Sequence, residues 1–585
     1  MPALEPLYAQ VVKSAPAGGV PMLPPDPLDA FTLTGAKEDA EMDIVTVTGQ
    51  PFTRALRLRT KTRPATEFAV QASATPIAPV KRGDVLLATF YVRAIEGGQP
   101  ETGEAHTRFA FVRTNPRFAM FTMRDVPAPR GKWRRVDIAF RANDDGTPDE
   151  CRVSFLLGYA PQVIEIGVIS FVNYQDRVQL RDLPHTRITY LGREANAAWR
   201  KAAEARIDQI RKADLAISVR DPRGRPARNA KVAVRMKKHA FAFGSAVAAD
   251  MLLGEGPDND KYRQMIIRLF NRVVMENDLK WPQWEGNPNR AKRGVAWLRE
   301  QGIEVRGHNL VWPSWRNSPR DLRALSGDKA ALAKRVHDHI LNEVTAMRGQ
   351  LVEWDVVNEP FANHDIMDVL GNDVMIDWYK WAHEADPGPR LFLNDYPPLD
   401  GAATNDAHLN AFEKTLRFLK DGGAPLGGIG FQCHIGGGLI PPEHLISGLD
   451  RFAKLDLPIE ATEFDVNTDD EDAQADYTRD FMTALFSHPA ANGIMMWGFW
   501  EGRHWIPQAA LWRRDWTIKP NGQAWLDLVQ KAWWTNADGK TDRSGVYHTR
   551  GFLGDYEVTV TTNGRTKTVP AKLEKGGTRL TVSVE

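Results

Sequence analysis

Between residues 241 and 500 eight short apolar segments alternate with helix-patterned ones, and this rhythm limits the folds open to the chain. The segments are F-A-F-G-S-A-V (241–247), R-V-V-M-E-N-D (272–278), V-R-G-H-N-L-V-W (305–312), W-D-V-V-N-E-P (354–360), L-F-L-N-D-Y (391–396), G-I-G-F-Q-C-H-I (428–435), I-E-A-T-E-F-D-V (459–466) and G-I-M-M-W-G-F-W (493–500). Near-continuous apolar runs suit parallel strands covered on both faces, and parallel neighbours need a crossover, usually a helix. Stretches such as K-Y-R-Q-M-I-I-R-L-F and A-F-E-K-T-L-R-F-L-K supply helical spacing between them. Eight strand–helix units predict an α/β fold, a (β/α)8 barrel, with a doubly wound open sheet as the alternative. The Gly-rich stretch 422–438 hints at the open sheet, but it lacks the Gly-Lys-Ser/Thr of a phosphate loop.

The flanks read differently. Residues 1–28 form an irregular leader rich in Pro, Ala and Gly, and 29–185 carry many short alternating runs, which predict a jelly-roll or sandwich domain. Turn signals such as Gly97-Gly98 and Asp144-Asp145-Gly146 separate the runs. Residues 186–213 read as a connecting helix with Trp199, Ile207 and Ile210 on helical spacing. Strands at 214–238 precede the barrel at 239–535, and a β segment occupies 536–585, with a hairpin turn at Asn563-Gly564. The strands at 215–220 and 231–236 are too few to bury a core alone, as are those of the tail. Together they are expected to form one five-stranded unit closing over Ile217, Val219, Val232, Val234, Val558, Val560, Leu580 and Val582.

The 585 residues carry a net charge of +1, with no basic field for nucleic acid or an anionic membrane to answer. No run of about 18 apolar residues suggests a membrane span. Cys151 and Cys433, far apart, read as small buried hydrophobes. The N-terminus shows no basic segment followed by an apolar one, so no secretory signal is expected in this sequence. The acidic run Asp469-Asp470-Glu471-Asp472 lacks the glycine of a calcium loop and reads as solvated. No metal or cofactor is expected.

Sixteen of the 18 tryptophans fall within 214–535. Catalytic groups of such a barrel sit at the C-terminal ends of its strands. Here those ends carry Glu276-Asn277-Asp278, His308-Asn309, Asn358-Glu359, Asn394-Asp395, Gln432, His434, Glu463, Asp465, Trp497 and Trp500. Each alone has a bland reading as a turn or packing residue; gathered at one rim they imply chemistry. Glycoside cleavage needs one carboxyl that gives a proton and one that attacks carbon or activates water. Glu359 and Glu463, ending the fourth and seventh strands, lie across a barrel mouth from each other. His434, with Asp465 behind it, would keep Glu463 ionised, and Asn358 can bond a sugar hydroxyl. Glu460, three residues before Glu463, should face the other side of a regular strand, outward or salt-bridged.

The ordered motifs F-N-R-V-V-M-E-N-D-L-K-W, R-G-H-N-L-V-W, W-D-V-V-N-E-P, G-I-G-F-Q-C-H and T-E-F-D-V resemble glycoside hydrolase family 10, the retaining xylanases, over about residues 240–530. The resemblance implies an endo-1,4-β-xylanase acting on the polysaccharide xylan, secreted or periplasmic by function. It implies Glu359 as acid/base and Glu463 as nucleophile supported by His434. Glu276, Asn277 and Lys280 would hold the sugar on the non-reducing side of the cut, and His308, Trp312, Asn358 and Gln432 would line the cleavage subsite. Trp497 and Trp505 would form its floor and lid. The chain departs from the family where Pro313-Ser314-Trp315 replaces His-Ser-Gln, and in the bulkier W-G-F-W-E-G-R-H-W segment. These departures leave another β-glycan open as substrate. A carbohydrate-binding barrel without activity is the other class of function, though such a barrel need keep neither glutamate. The 29–185 region more loosely resembles carbohydrate-binding modules; a domain that only packs is its alternative.

Overall fold

The structure, a computed structural model, describes residues 15–584 apart from 63, 65, 67, 98–104, 160, 402–405, 437 and 469. Half of the expected leader (residues 1–14), the second glycine of Gly97-Gly98 and Asp469 of the acidic run lie outside the described residues. The chain divides into two units, Met1–Thr189 and Tyr190–Glu585.

Among the described residues the first unit consists of two antiparallel sheets. One runs in the order Ala40–Thr46, Arg54–Thr60, Gln162–Asn173, Val85–Gly97, Arg134–Arg141, with Val20–Pro21 paired to Gln162–Asn173. The other runs Thr32–Gly35, Val70–Ala74, Cys151–Leu156, Ala105–Arg113, Ala119–Ala128. Alternation sends Phe90 and Val92 inward from the first sheet and Phe109, Phe111 and Phe155 inward from the second. Phe90 and Phe155 meet edge to face at 5.1 Å. This is the expected sandwich.

The second unit holds a closed parallel barrel: β1 (Ala242–Val247), β2 (Arg272–Met275), β3 (Glu304–Val311), β4 (Glu353–Asn358), β5 (Arg390–Asp395), β6 (Gly428–Phe431), β7 (Ile459–Val466) and β8 (Ala491–Met496). Pairing of β8 with β1 closes the ring and excludes the open sheet. β8 is shorter than the expected 493–500. Gly498 at φ +116° turns the chain out of the sheet, so Trp497 and Trp500 sit beyond its end.

The connecting helix is Ala198–Arg211, shorter than the expected 186–213, because residues 186–197 are irregular and Lys212 already begins a strand. Its Trp199, Ala203 and Ile207 face the barrel core. Arg200 and Tyr190 both reach the buried carboxylate of Asp480 on the barrel helix Glu471–Phe486. Asp470 caps that helix by accepting the Ala473 N–H.

Strands before and after the barrel do pair. Lys212–Arg220 lies between Val546–Phe552 and Thr578–Ser583, and Lys231–His239 between Asn536–Lys540 and Gly554–Thr562, which carries Arg565–Leu573 on its far edge. Among the described residues this makes seven strands in two sheets rather than five in one, since the polar Asn536–Lys540 and Val546–Phe552 also join. Ile217, Val219, Val232, Val234, Val558, Val560 and Val582 are buried and continuous with the barrel core; Leu580 is half-buried at its margin. Among the described residues no helix is long and apolar enough to cross a membrane.

Candidate active site

The barrel interior carries polar clusters at both ends. At the end where the strands begin, Arg306 is wholly buried and bonds Glu353, Asp355 and Glu460. Arg272 and Arg390 also pair with Glu353 and Glu460. Glu460 thus points into the barrel, on the same side as Glu463. The expected salt bridges of Glu460 are present, but the opposite-face expectation fails because the pairing of β7 with β8 slips by one residue between Ala461 and Phe464. Such a bulge breaks the period of two and re-aims the side chains beyond it. A similar slip between Asp355 and Val357 re-aims Asn358 and Glu359 on β4.

Glu359 leaves β4 in the left-handed region at φ +54°, as does Cys433 beside His434 at +61°. For residues other than glycine that conformation costs energy and is held by its surroundings. The Glu359 carboxyl receives hydrogen bonds from Gln432 Nε2 at 2.8 Å, Asn363 Nδ2 at 3.1 Å and Trp312 Nε1 at 3.2 Å. The Glu463 carboxyl receives Asn394 Nδ2 at 2.8 Å and contacts His434 Nε2 at 3.2 Å. Asn394 Nδ2 also reaches Asn358 Oδ1 at 2.9 Å, tying the two strand ends together.

The two carboxyls have opposite electrostatic surroundings. Burial raises Glu359, and the negative charges of Glu463 and Asp395 add to this, so its acid form persists above the usual carboxylate range. Burial would also raise Glu463, but the hydrogen bond from His434 and the charges of His308, His434 and Lys280 outweigh it and leave Glu463 below that range. Burial lowers His434, yet Asp465 at 3.1 Å and Glu463 prevail and lift it to about 10, so this imidazole is an imidazolium at neutral pH. One carboxyl held toward its acid form facing another held ionised is the pattern of paired carboxyls with separate duties.

The remaining expected residues gather around this pair. Lys280 Nζ donates to Asn277 Oδ1 at 2.9 Å and lies 5.4 Å over the Trp312 ring. Glu276 lies beyond them, with Arg503 Nη1 4.0 Å away. His308 bonds Asp355 at 2.9 Å through Nδ1, approaches Glu463 at 4.0 Å, and meets the Trp497 ring edge to face at 5.1 Å. Trp505 is 52% exposed, with its ring 4.7 Å from that of His434 and its N–H on Asp465 at 2.8 Å. Sequence reasoning passed over Asn363 and gave Asn394 no role. Asn394 was visible as a polar strand end, but its bond to Glu463 depends on how β5 and β7 are set across the barrel. Among the described residues no group of three or more His, Cys, Asp or Glu side chains is arranged to hold a metal ion.

The first unit has a second cluster. On the outer face of one sheet Arg57, Glu165 and Arg93 stand in register on adjacent strands. Both arginines bond the buried Glu165, and Arg93 also lies 4.6 Å over the Trp133 ring. Phe52 fills the space above Gly167 and packs on Tyr91 at 5.4 Å and Trp133 at 4.9 Å.

A family model described as Glycosyl hydrolase family 10 matches residues 232–527, just over half of the chain. The anti-sigma-I factor RsgI6 of Acetivibrio thermocellus is 32% identical over 381 residues, 63% of this chain and 47% of that protein. Endo-1,4-beta-xylanase 1 of Arabidopsis thaliana is 30% identical over 372 residues, 63% of this chain and 38% of that protein. The chain therefore spans less than half the length of these curated relatives. Among solved structures, xylanase 10B of Thermotoga petrophila in complex with xylobiose aligns with a TM-score of 0.46 at 27% identity, covering 50% of this chain and 95% of that one.

Proposed function

The chain belongs to glycosyl hydrolase family 10, and on that premise we propose that it is a retaining endo-1,4-β-xylanase using Glu359 and Glu463. In the first step the protonated Glu359 gives its proton to the glycosidic oxygen while the Glu463 carboxylate attacks the anomeric carbon. The C–O bond breaks, the shortened chain leaves as an alcohol, and a glycosyl ester on Glu463 remains. In the second step Glu359, now ionised, takes a proton from water; the water oxygen attacks the same carbon and frees Glu463.

One observation carries this reading: the half-buried Glu359 carboxyl and the buried Glu463 carboxyl, at the same end of β4 and β7, stand in opposite electrostatic surroundings, with His434 beside Glu463 alone. Double displacement requires the carboxyls to lie about 5–5.5 Å apart, leaving no room for an intervening water. The test is proton NMR of the first product released from xylan or a xylo-oligosaccharide. The β-anomer should appear first; immediate α-anomer would mean inversion and end the proposal. A polymer of this kind is met outside the cell, so on this reading the enzyme is secreted or periplasmic.

The outer face of the first unit supports a second role for the chain. Trp133, Tyr91 and Phe52 offer apolar surface for sugar rings, and Arg57 and Arg93, fixed by the buried Glu165, offer polar groups. Residues 15–189 alone should be retarded in a gel containing soluble xylan, and Trp133→Ala should abolish the retardation. Equal mobility with and without several plant polysaccharides would leave this unit a packing role.

A further inference from the structure

The loop after β3, where the chain departs from the family motif, builds a cavity of about 470 Å³ lined by Trp315, Arg316, Arg320, Arg323 and Asp365. That volume lies within the range of small-molecule sites, about 300–1,000 Å³. Three guanidinium groups and one carboxylate give its wall a formal charge of +2. Arg320 and Arg323 stand three residues apart on the short helix Arg320–Ala324, hence on one side of it. Among the described residues none of the three arginines forms an ion pair. Asp321, next to Arg320 in sequence, pairs with Arg335 at 2.9 Å, and the cavity's own Asp365 accepts the Trp315 backbone N–H at 2.8 Å.

The cavity is coupled to the cleavage site. Trp312, at the root of the loop, donates to Glu359, and Trp315 follows three residues later, within a reach of about 11 Å. Asn317 Nδ2 bonds Asn363 Oδ1 at 3.3 Å, and Asn363 Nδ2 bonds Glu359 Oε2 at 3.1 Å. Ile366 N–H to the Pro313 carbonyl at 3.2 Å and Ser318 Oγ to the Trp312 carbonyl at 3.3 Å pin the loop at both ends. A group in this cavity is therefore within reach of a chain held at Glu359.

We propose that the cavity binds a carboxylate-bearing sugar branch, a hexuronic acid side group of the glycan, and makes the enzyme selective for acidic over neutral polymer. The guanidinium fork matches a planar carboxylate, and the half-buried Trp315 ring offers a flat face to the pyranose. The inference rests on the proposed hydrolase reading.

The test compares kcat/KM of the full chain on a uronic-acid-substituted xylan and on the same polymer after chemical reduction of its carboxyls, which keeps the branch and removes its charge. The native polymer should be preferred by about tenfold, the scale of one charge-assisted hydrogen bond. In the Arg316→Ala/Arg320→Ala/Arg323→Ala variant the preference should vanish while activity on the reduced polymer stays. Equal kcat/KM on the two polymers, or a preference that survives the triple replacement, overturns the proposal. Failure to cut either polymer would be a failure of the hydrolase reading, and the cavity is then read by calorimetry. A xylotriose bearing one glucuronic acid should bind the full chain more tightly than unsubstituted xylotriose or inorganic phosphate, and the triple variant should lose that difference. Equal binding of the acidic sugar and phosphate would make this a general anion site and overturn the proposal.

Discussion

Replacing His434 by glutamine removes a positive charge 3.2 Å from Glu463 while leaving an amide able to donate a hydrogen bond. At an effective dielectric of about 20, two unit charges at that distance attract by about 5 kcal/mol, a ceiling on the effect. The net loss is smaller, because Asp465 sits 3.1 Å from the other ring nitrogen and already balances the imidazolium. A charge-assisted hydrogen bond contributes about 1.5–3 kcal/mol and a neutral one about 0.5–1.5, so the exchange removes about 1–1.5 kcal/mol from the ionised form of Glu463. At about 1.4 kcal/mol per unit, the carboxyl rises by about one pH unit. Glu463 is held below the usual range and must be ionised to attack, so its titration sets the acid limb of kcat/KM. That limb should move up by about one unit in His434→Gln, while the basic limb, set by Glu359, moves much less. The assay is kcat/KM against pH from 3 to 9 on a soluble aryl xylobioside, with circular dichroism to show that the variant is folded. An acid limb that stays in place or moves down would refute the assignment of His434 as the group that keeps Glu463 ionised.

Glu463→Ala should abolish hydrolysis of every substrate, whereas Glu359→Ala should lose far less on an aryl glycoside with a good leaving group; equal losses there would reverse the assigned roles. Arg306→Met would leave Glu353, Asp355 and Glu460 facing one another in the barrel and should cost about 3–5 kcal/mol of stability, read as a lower midpoint in urea. Glu343 is buried with both carboxyl oxygens lacking a hydrogen-bond partner, and burial holds it well above the usual range. Its stabilising protonation is complete below the unfolded pKa and is lost as pH rises toward the native one, so Glu343→Gln should gain in Tm over the parent between pH 4 and pH 8. A flat difference across that range would exclude it. Truncation after Trp534 should expose Val232 and Val234, raise dye binding and lower solubility, with every catalytic side chain retained.

The barrel was legible because its strands are apolar runs ending in polar residues, and the carboxyl pair because both glutamates stand at such ends. The direction of Glu460 was not, since one residue of slip in β7 reverses the parity on which strand reasoning depends. Asn536–Lys540 was unreadable as a strand for a simpler reason: Asn-Ala-Asp-Gly-Lys carries no apolar alternation, and its pairing partner lies about 300 residues away. Arg316, Arg320 and Arg323 converge through loop and helix geometry that spacing alone does not convey. The Pro313-Ser314-Trp315 departure marked the place without the chemistry.

The seven-stranded unit has a consequence for synthesis. Lys231–His239 leaves the ribosome early, but its partner Asn536–Lys540 emerges 296 residues later, after residues 240–535. At about 5–20 residues per second that wait is about 15–60 s. During it Lys212–Arg220 and Lys231–His239 have bare edges and valines without cover, the state in which strands pair with the wrong neighbour. The tail thus acts as a late clasp: until it arrives, the nascent chain depends on the barrel helices or on a chaperone to shield those two strands.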